Sequence, residues 1–417
     1  MSQILNDNNL IAALDIGTSK TCCVIGVPYG DQNVKIVGAG SFQNKGVENG
    51  RITDLALAVD SVQHAVAGAE SFIKERIKTV VATACVEKLS SEIYHDSLEL
   101  DGSEVTQNDI ERLIDSTRSK IPHSQDEVLH CIPIDYSLDS RHSIADPRGL
   151  TGNNLYLFLH TVMTPPFPVR DMNSVLGQNH LSCSKKVAAP YAAGLACLTK
   201  DERKQGSAVI DLGAGKTGIG VFYEDQLVFA TQLPFGGDMI TKKLAKTFKM
   251  SLHNAERIKT LQGSCLPAVS FEHEEVDIPL IGEDERISSV RVPRSEIVEV
   301  IFPEIRDLFS GIKALLEEKG FYEVCLNFVL TGGGSLLHGI NENASEVLQR
   351  NVRPSQPIRL QDRQNIIPAH AYQSYMCCIG LLNYTTRVLL NTSAHQQDVS
   401  RSSNRFVQFF RWFLDNS

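Results

Sequence analysis

Two aspartates, one in each half of the chain, stand in near-identical settings. Asp15 closes the apolar run Ile11-Ala12-Ala13-Leu14 and is followed by Ile16-Gly17-Thr18-Ser19-Lys20; Asp211 closes Ala208-Val209-Ile210 and is followed by Leu212-Gly213-Ala214-Gly215-Lys216-Thr217-Gly218. A second β-like run comes directly after each, at 22–27 and at 219–222. Each copy therefore reads as a strand, a tight turn of small residues and a hydroxyl, and a returning strand. Glycine lets backbone N–H groups approach phosphate oxygens, and a carboxylate beside them suits a hard divalent cation. Two such hairpins closing from opposite sides would grip a phosphate tail. Gly17, Thr18, Ser19, Lys20, Gly213, Ala214, Gly215, Lys216 and Thr217 would face its oxygens, and Asp15 and Asp211 would hold magnesium.

Two other readings of the second copy fail on context. The run from Gly213 to Gly218 fits G-x-G-x-x-G, and Gly215-Lys216-Thr217 suggests a Walker A loop. A Walker A loop needs glycine where Ile210 stands, and both motifs need a helix after the loop, whereas 218–222 continues as a β-like run toward 227–229. Two further motifs fit the clamp. Phe328-Val329-Leu330-Thr331 runs into the triplet Gly332-Gly333-Gly334, and Asn254-Ala255-Glu256-Arg257-Ile258-Lys259 puts Glu256 and Lys259 on one helix face. That carboxylate can accept from ribose hydroxyls while the lysine stem covers an adenine ring. The plain alternatives are ordinary glycine turns and a surface ion pair. The concurrence of two hairpins, the glycine triplet and the helix pair between them favours the nucleotide clamp.

The elements that must position these residues follow from the pattern. At 417 residues the chain exceeds one ordinary core, and apolar content of 42% with charged content of 21% is globular. A net charge of −9 opposes nucleic acid as the main partner. The polar residues 1–9 carry no export signal, and ten cysteines without zinc spacing indicate a reduced, cytoplasmic setting. A third strand is expected at 34–39, a helix over 54–73 capped by Asp54, and a buried strand at 78–85. From about 86 to 160 the character changes: a helix over 104–118 opening on the capping box Thr106-x-x-Asp109, with strands near 127–139 and 155–163. Helices are expected over 239–261 and 295–319, with strand and loop between them.

Taken together, these residues resemble the actin-like ATPase superfamily. Asp15-Ile16-Gly17-Thr18 and Asp211-Leu212-Gly213-Ala214-Gly215 look like its two phosphate loops, Pro190-Tyr191-Ala192-Ala193 its first connecting helix and Thr331-Gly332-Gly333-Gly334 its adenosine loop. Within it the chain is similar to the FtsA family of bacterial division proteins, through Gly50-Arg51-Ile52-Thr53-Asp54-Leu55, Glu104-Val105-Thr106-Gln107, Val128-Leu129-His130-Cys131-Ile132-Pro133 and Gly149-Leu150-Thr151-Gly152. The resemblance implies an α/β, actin-like fold: two ribonuclease-H-like lobes around a nucleotide cleft, an inserted subdomain in the first lobe and a C-terminal amphipathic helix. It implies first-lobe core at 1–85 and, with the connecting helix, 163–200; an inserted subdomain at 86–162 for self-association and recruitment; and second-lobe core at 201–238 and 306–390. It further implies a subdomain at 239–305 that receives the C-terminal tail of FtsZ, a linker at 391–404 and a membrane-targeting helix at 405–417. ATP with Mg2+ between the lobes, filaments of the protein itself, FtsZ tethered to the cytoplasmic face of the inner membrane at the division site, and recruitment of later division proteins are the implied activities. Arg286, Arg291 and Arg294 could meet an acidic peptide, or could simply be solvated.

Two positions depart from the superfamily pattern. Ala189 precedes Pro190 where an acidic residue or glutamine often orients the attacking water, and Gly218 stands where an aspartate often follows the second loop. No catalytic residue is therefore assigned, and nucleotide is expected to act as an assembly ligand with weak or absent hydrolysis.

The last residues read as an anchor. On a helical wheel Phe406, Phe409, Phe410 and Phe413 share one side with Trp412 on its flank, while Arg405 and Arg411 lie opposite. An aromatic face against a basic face suits a helix lying in an anionic bilayer surface, and the polar tether before it opposes docking on the body. The competing readings are a small-molecule kinase of the same fold, which would need a base facing its acceptor, and a shape-determining filament protein.

Overall fold

Continuous apolar runs, buried on both faces, make the first strands. In the computed structural model, which describes residues 10–30, 33–122, 126–271, 273–279 and 289–393, β1 (Ile11–Ile16), β2 (Lys20–Tyr29) and β3 (Asn33–Gln43) form an antiparallel set. A short ladder of β4 (Val47–Glu48) and β5 (Arg51–Ile52) leads into α1 (Leu55–Glu70). Asp54 caps that helix, accepting from Leu57 N at 3.0 Å, an N–H that the first turn leaves open. Then comes β6 (Thr79–Thr83).

The chain next leaves this lobe. β7 (Ser90–Glu99), α2 (Gln107–Ser119), β8 (Glu127–Leu138), β9 (Arg141–Ile144) and β10 (Asn154–Thr164) build a separate sheet, ordered β7-β10-β8-β9, with its own core around Leu113, Leu138, Leu155 and Leu157. The capping box at Thr106 and Asp109 is formed, so the helix begins at Gln107, later than expected; Glu104 instead bridges to Thr151. α3 (Pro166–Gln178) and β11 (Ser182–Val187) return to the first lobe.

α4 (Ala189–Cys197) crosses to the second lobe, where α5 (Lys200–Gln205), β12 (Ser207–Leu212), β13 (Thr217–Tyr223) and β14 (Gln226–Leu233) repeat the opening pattern. The helix expected over 239–261 is two helices, α6 (Gly237–Thr247) and α7 (Leu252–Gln262). Lys249 takes a left-handed φ of 51° and Ser251 caps the second helix, a break that apolar spacing alone does not reveal. β15 (Glu275–Pro279) and β16 (Ser289–Pro293) precede α8 (Arg294–Glu318), which runs unbroken through residue 305; β17 (Asn327–Thr331), α9 (Ile340–Leu348) and β18 (Asn351–Pro354) complete the lobe. Finally β19 (Leu360–Gln361) joins the first sheet and α10 (Tyr372–Ser393) packs on α4. A Cβ on Gly380 would lie 1.8 Å from the Ala192 carbonyl, so these two backbones touch. The first residues of the linker expected at 391–404 belong to α10, which runs to Ser393; the rest of it and the tail residues Arg405, Phe406, Phe409, Phe410, Arg411, Trp412 and Phe413 lie outside the described residues.

The two main sheets share one order, β3-β2-β1-β6-β11 and β14-β13-β12-β17-β18, each with an antiparallel trio followed by parallel strands. The separate sheet is clipped to the second lobe by a fully buried histidine. His160 Nδ1 donates to the Leu227 carbonyl at 2.8 Å, Nε2 faces the Ser91 hydroxyl, and Ser91 Oγ accepts from Ala230 N at 3.1 Å. Burial holds the imidazole at a pKa of about 4, well under the free value. The unfolded chain therefore binds the proton first, and the stability carried by neutral His160 is lost as pH falls from 6.5 toward 4. At 1.36 kcal/mol per unit that loss is about 3 kcal/mol. Urea unfolding from pH 7 to 4 should show this decline, with a shallower slope in His160→Gln, which can keep both hydrogen bonds without titrating.

Candidate functional site

The shared strand order sets Asp15 and Asp211 at equivalent places. Asp15 pairs with Cys22 across β1 and β2, Asp211 with Gly218 across β12 and β13, and each is the last residue but one of its strand. The turns that follow close alike: Gly17 N donates to the Lys20 carbonyl at 3.0 Å, and Gly213 N to that of Lys216 at 2.9 Å.

Carbonyls of both turns are occupied from outside. Asn44 Nδ2 donates to Gly17 O at 2.9 Å and Asn44 N to Ser19 O at 3.0 Å; Gly237 N and Asp238 N, at the start of α6, donate to Gly213 O and Ala214 O at 3.0 and 2.8 Å. The N–H groups of Thr18, Ser19, Ala214, Gly215 and Lys216 make no hydrogen bond with any described residue. Two nests of free donors result, the arrangement that binds anions. A Cβ on Gly215 would lie 2.7 Å from Thr18 Oγ1, so the turns meet across the cleft between the lobes.

That cleft has a cavity volume of about 910 Å³. Its lining brings together every cleft residue named from the sequence: Asp15, Gly17, Thr18, Ser19 and Lys20; Asp211 and Gly213 to Thr217; Glu256 and Lys259; and Gly332, Gly333 and Gly334. Their side chains are not equally open. Thr217 is fully buried and gives its hydroxyl to the Phe235 carbonyl at 2.8 Å. Lys20 is tied to the Ser374 hydroxyl, and Lys216 reaches across to the Val86 carbonyl, with Gln232 Oε1 at 3.3 Å. Lys259 donates to Gly237 O at 3.0 Å and to Glu256 at 2.7 Å, fixing the helix pair as a rigid wall. Gly332, at φ 81°, lies so close to Asp211 that a Cβ would come within 2.5 Å of Oδ1.

Electrostatically, the floor is a buried carboxylate pair, partly offset by nearby lysines. Burial and then Asp15 push Asp211 up to about 6, against a Cys377 thiol 3.5 Å away and the Lys216 ammonium. Burial likewise raises Asp15, opposed by the Thr83 hydroxyl, Lys216 and Lys20. Thr83, Asn44, Gln373, Ser374 and Cys377 line the cleft without having been named from the sequence, as do the carboxylates of Glu48 and Asp238. The two-residue step from Gly236 to Asp238 at a helix start was the one readable signal among them; the others arrive from β6, the loop after β3, β4 and α10. Ala189 and Gly218 also line it and bring no polar side chain. Outside the cleft, Arg291 pairs with Asp277 at 3.1 Å, and Arg294 pairs with Glu274 at 2.6 Å while stacking on Phe271. Arg286 lies outside the described residues.

Comparison with known proteins places this geometry. A family model described as cell division protein FtsA matches residues 208–378, and one described as the SHS2 domain inserted in FTSA matches 87–163. The cell division protein FtsA of Rhizobium meliloti strain 1021 is 30% identical over 424 aligned residues, covering 98% of this chain and 95% of that protein. The chain belongs to the FtsA family of cell division proteins. Its fold is actin-like, with the SHS2 domain as the inserted sheet. Among solved structures, the PilM-PilN type IV pilus biogenesis complex superposes with a TM-score of 0.62 at 16% identity, over 90% of this chain and 98% of that one. MreB 5 of Spiroplasma citri bound to AMPPNP gives 0.54 at 13%, over 93% and 99%. Among the described residues of this FtsA-family chain no helix is long and apolar enough to cross a membrane.

The carboxylate pair carries a direct test. Because the folded-state pKa of Asp211 lies above the usual 3.8, its ionisation costs stability as pH rises through about 4 to 6. Without ligand, Asp211→Asn should be more stable than the parent at pH 8, by about 3 kcal/mol. The gain should vanish below pH 4 in denaturant titrations.

Proposed function

We propose that the cleft binds a nucleoside triphosphate, ATP, with Mg2+, and that the bound nucleotide governs assembly of the protein. The observation that carries this reading is the pair of equivalent turns, each with a carboxylate and free N–H donors, facing one cavity. The residues present fit that ligand. Among the described residues no three His, Cys, Asp or Glu side chains are grouped to hold a metal ion by themselves. Two carboxylates do suit magnesium that completes its shell with water and phosphate oxygens. The nests at Gly17 to Ser19 and Gly213 to Lys216 would receive the phosphates, Asp15 and Asp211 the cation, Glu256 and Lys259 the ribose and base side, and Gly332 to Gly334 the backbone approach. Magnesium would neutralise the carboxylate pair and the phosphates together.

Bond cleavage is a different matter. With alanine at 189 and glycine at 218, this chain places no base or polariser at the usual positions. Slow turnover is therefore expected, and steady-state rates like those of active chaperone ATPases would overturn the assembly-ligand reading. Mg2+–ATP should raise the thermal midpoint. Asp15→Asn and Asp211→Asn should each lose about tenfold or more of the magnesium-dependent affinity, about 1.4 kcal/mol.

At the level of the cell, the family supports a protein that polymerises on the cytoplasmic face of the inner membrane at the division site. It would tether FtsZ through that protein's C-terminal tail, using the region 239–305, and recruit later division proteins through the inserted domain, with 163–200 and 306–390 completing the two lobes. Attachment would run through residues 405–417, with Phe406, Phe409, Phe410, Trp412 and Phe413 toward lipid and Arg405 and Arg411 toward anionic headgroups. One such helix binds reversibly, so a polymer presenting many would hold far more firmly. Phe409→Glu combined with Phe413→Glu should leave the protein in the supernatant after pelleting with anionic vesicles; co-pelleting at the parental level would refute the anchor.

A further inference from the structure

Lys216 belongs to the second phosphate-side turn, yet its ammonium is spent on the other lobe. It crosses the cleft to the carbonyl of Val86, the residue just before the matched SHS2 domain, and its second partner is Gln232 on β14. The path is tight: a Cβ on Gly50 would come within 2.2 Å of Nζ, so no side chain fits there. Around this ammonium stand Asp15, Asp211, Cys85 and Cys377, and its burial disfavours the charge it carries. We infer that Lys216 couples the phosphate site to the inserted domain, holding Val86 at the domain's entry when the cleft is empty and releasing it when phosphates arrive.

The inference rests on the nucleotide reading above and goes beyond it. The N–H groups of Thr18, Ser19, Ala214, Gly215 and Lys216 itself make no hydrogen bond among the described residues, so a phosphate tail seated on them brings several negative charges beside the Lys216 stem. A charge–charge attraction in a recessed site exceeds the bond of an ammonium to one neutral carbonyl. The lysine stem is flexible and its three donors can be redirected without moving the turn. Once Val86 is released, the inserted sheet keeps its His160 clip to β14 and loses its bolt to the phosphate turn. Linkage then requires the reverse effect: whatever holds the inserted domain in its released position raises nucleotide affinity.

Hydrogen exchange on the full chain tests this, following the amides of residues 86–90 with and without Mg2+–ATP, with binding measured separately by a fluorescent ATP analogue. In the parent, saturating Mg2+–ATP should speed exchange there at least fivefold. Lys216→Met should exchange fast in both conditions and bind the analogue more weakly than the parent. Lys216→Arg, which keeps a cation of similar reach, should restore slow exchange in the empty state. Binding of Mg2+–ATP by the parent without any change at 86–90 overturns the coupling and leaves the nucleotide reading intact. Slow exchange in Lys216→Met overturns the bolt itself. Failure of the parent to bind Mg2+–ATP removes both readings together.

Discussion

Burial of two carboxylates in one cleft is the constraint on which the molecule is built. Asp15 and Asp211 sit at strand ends of two separate sheets, where loss of water raises both and Asp15 raises Asp211 further. Such a pair is poor design for an empty molecule. Under the proposed function a cation and the anion it accompanies would offset that cost, so stability left out of the folded chain would be available to the bound state. The free N–H donors on either side have the same logic: they are unpaired among the described residues and line the same cavity.

Holding those ends in register takes most of the fold. The carboxylates belong to different lobes, so their relation depends on the elements that join the lobes. α4 and α10 pack backbone to backbone at Gly380 and Ala192, and one continuous apolar core runs from the first sheet through them into the second. The inserted SHS2 sheet has a small core of its own on one face, while Leu129, Ile132, Ile134 and Val162 join the main core and the His160 and Ser91 clip and the Lys216 contact add polar ties.

Much of this was readable in the residues themselves. Apolar runs ending in Asp15 and Asp211, turns of glycine and hydroxyl, the Asp54 cap and the capping box at Thr106 are local features, governed by neighbours along the chain, and each forms as its spacing requires. The duplication did more, since two equal turns can share a ligand only if two equal sheets present them. What local pattern missed was the break at Lys249, where a single left-handed residue turns one expected helix into two, and α10, whose low-contrast apolar pattern conceals its place at the centre of the molecule.

The sequence by itself determined which residues could form phosphate turns, where most of the strands and helices would begin, and that two halves would be built alike, because those properties depend on backbone preference and short-range pairing. Only the tertiary structure decided which side chains stay free to meet a ligand. Thr217 and Lys216 stand in the same turn as Gly213 and Ala214, yet one is committed to Phe235 and the other to Val86. Thr83 and Cys377 reach the two aspartates from β6 and from α10. Hydrogen-bond commitments across a fold depend on distances between segments far apart in the chain, and no spacing within one segment encodes them.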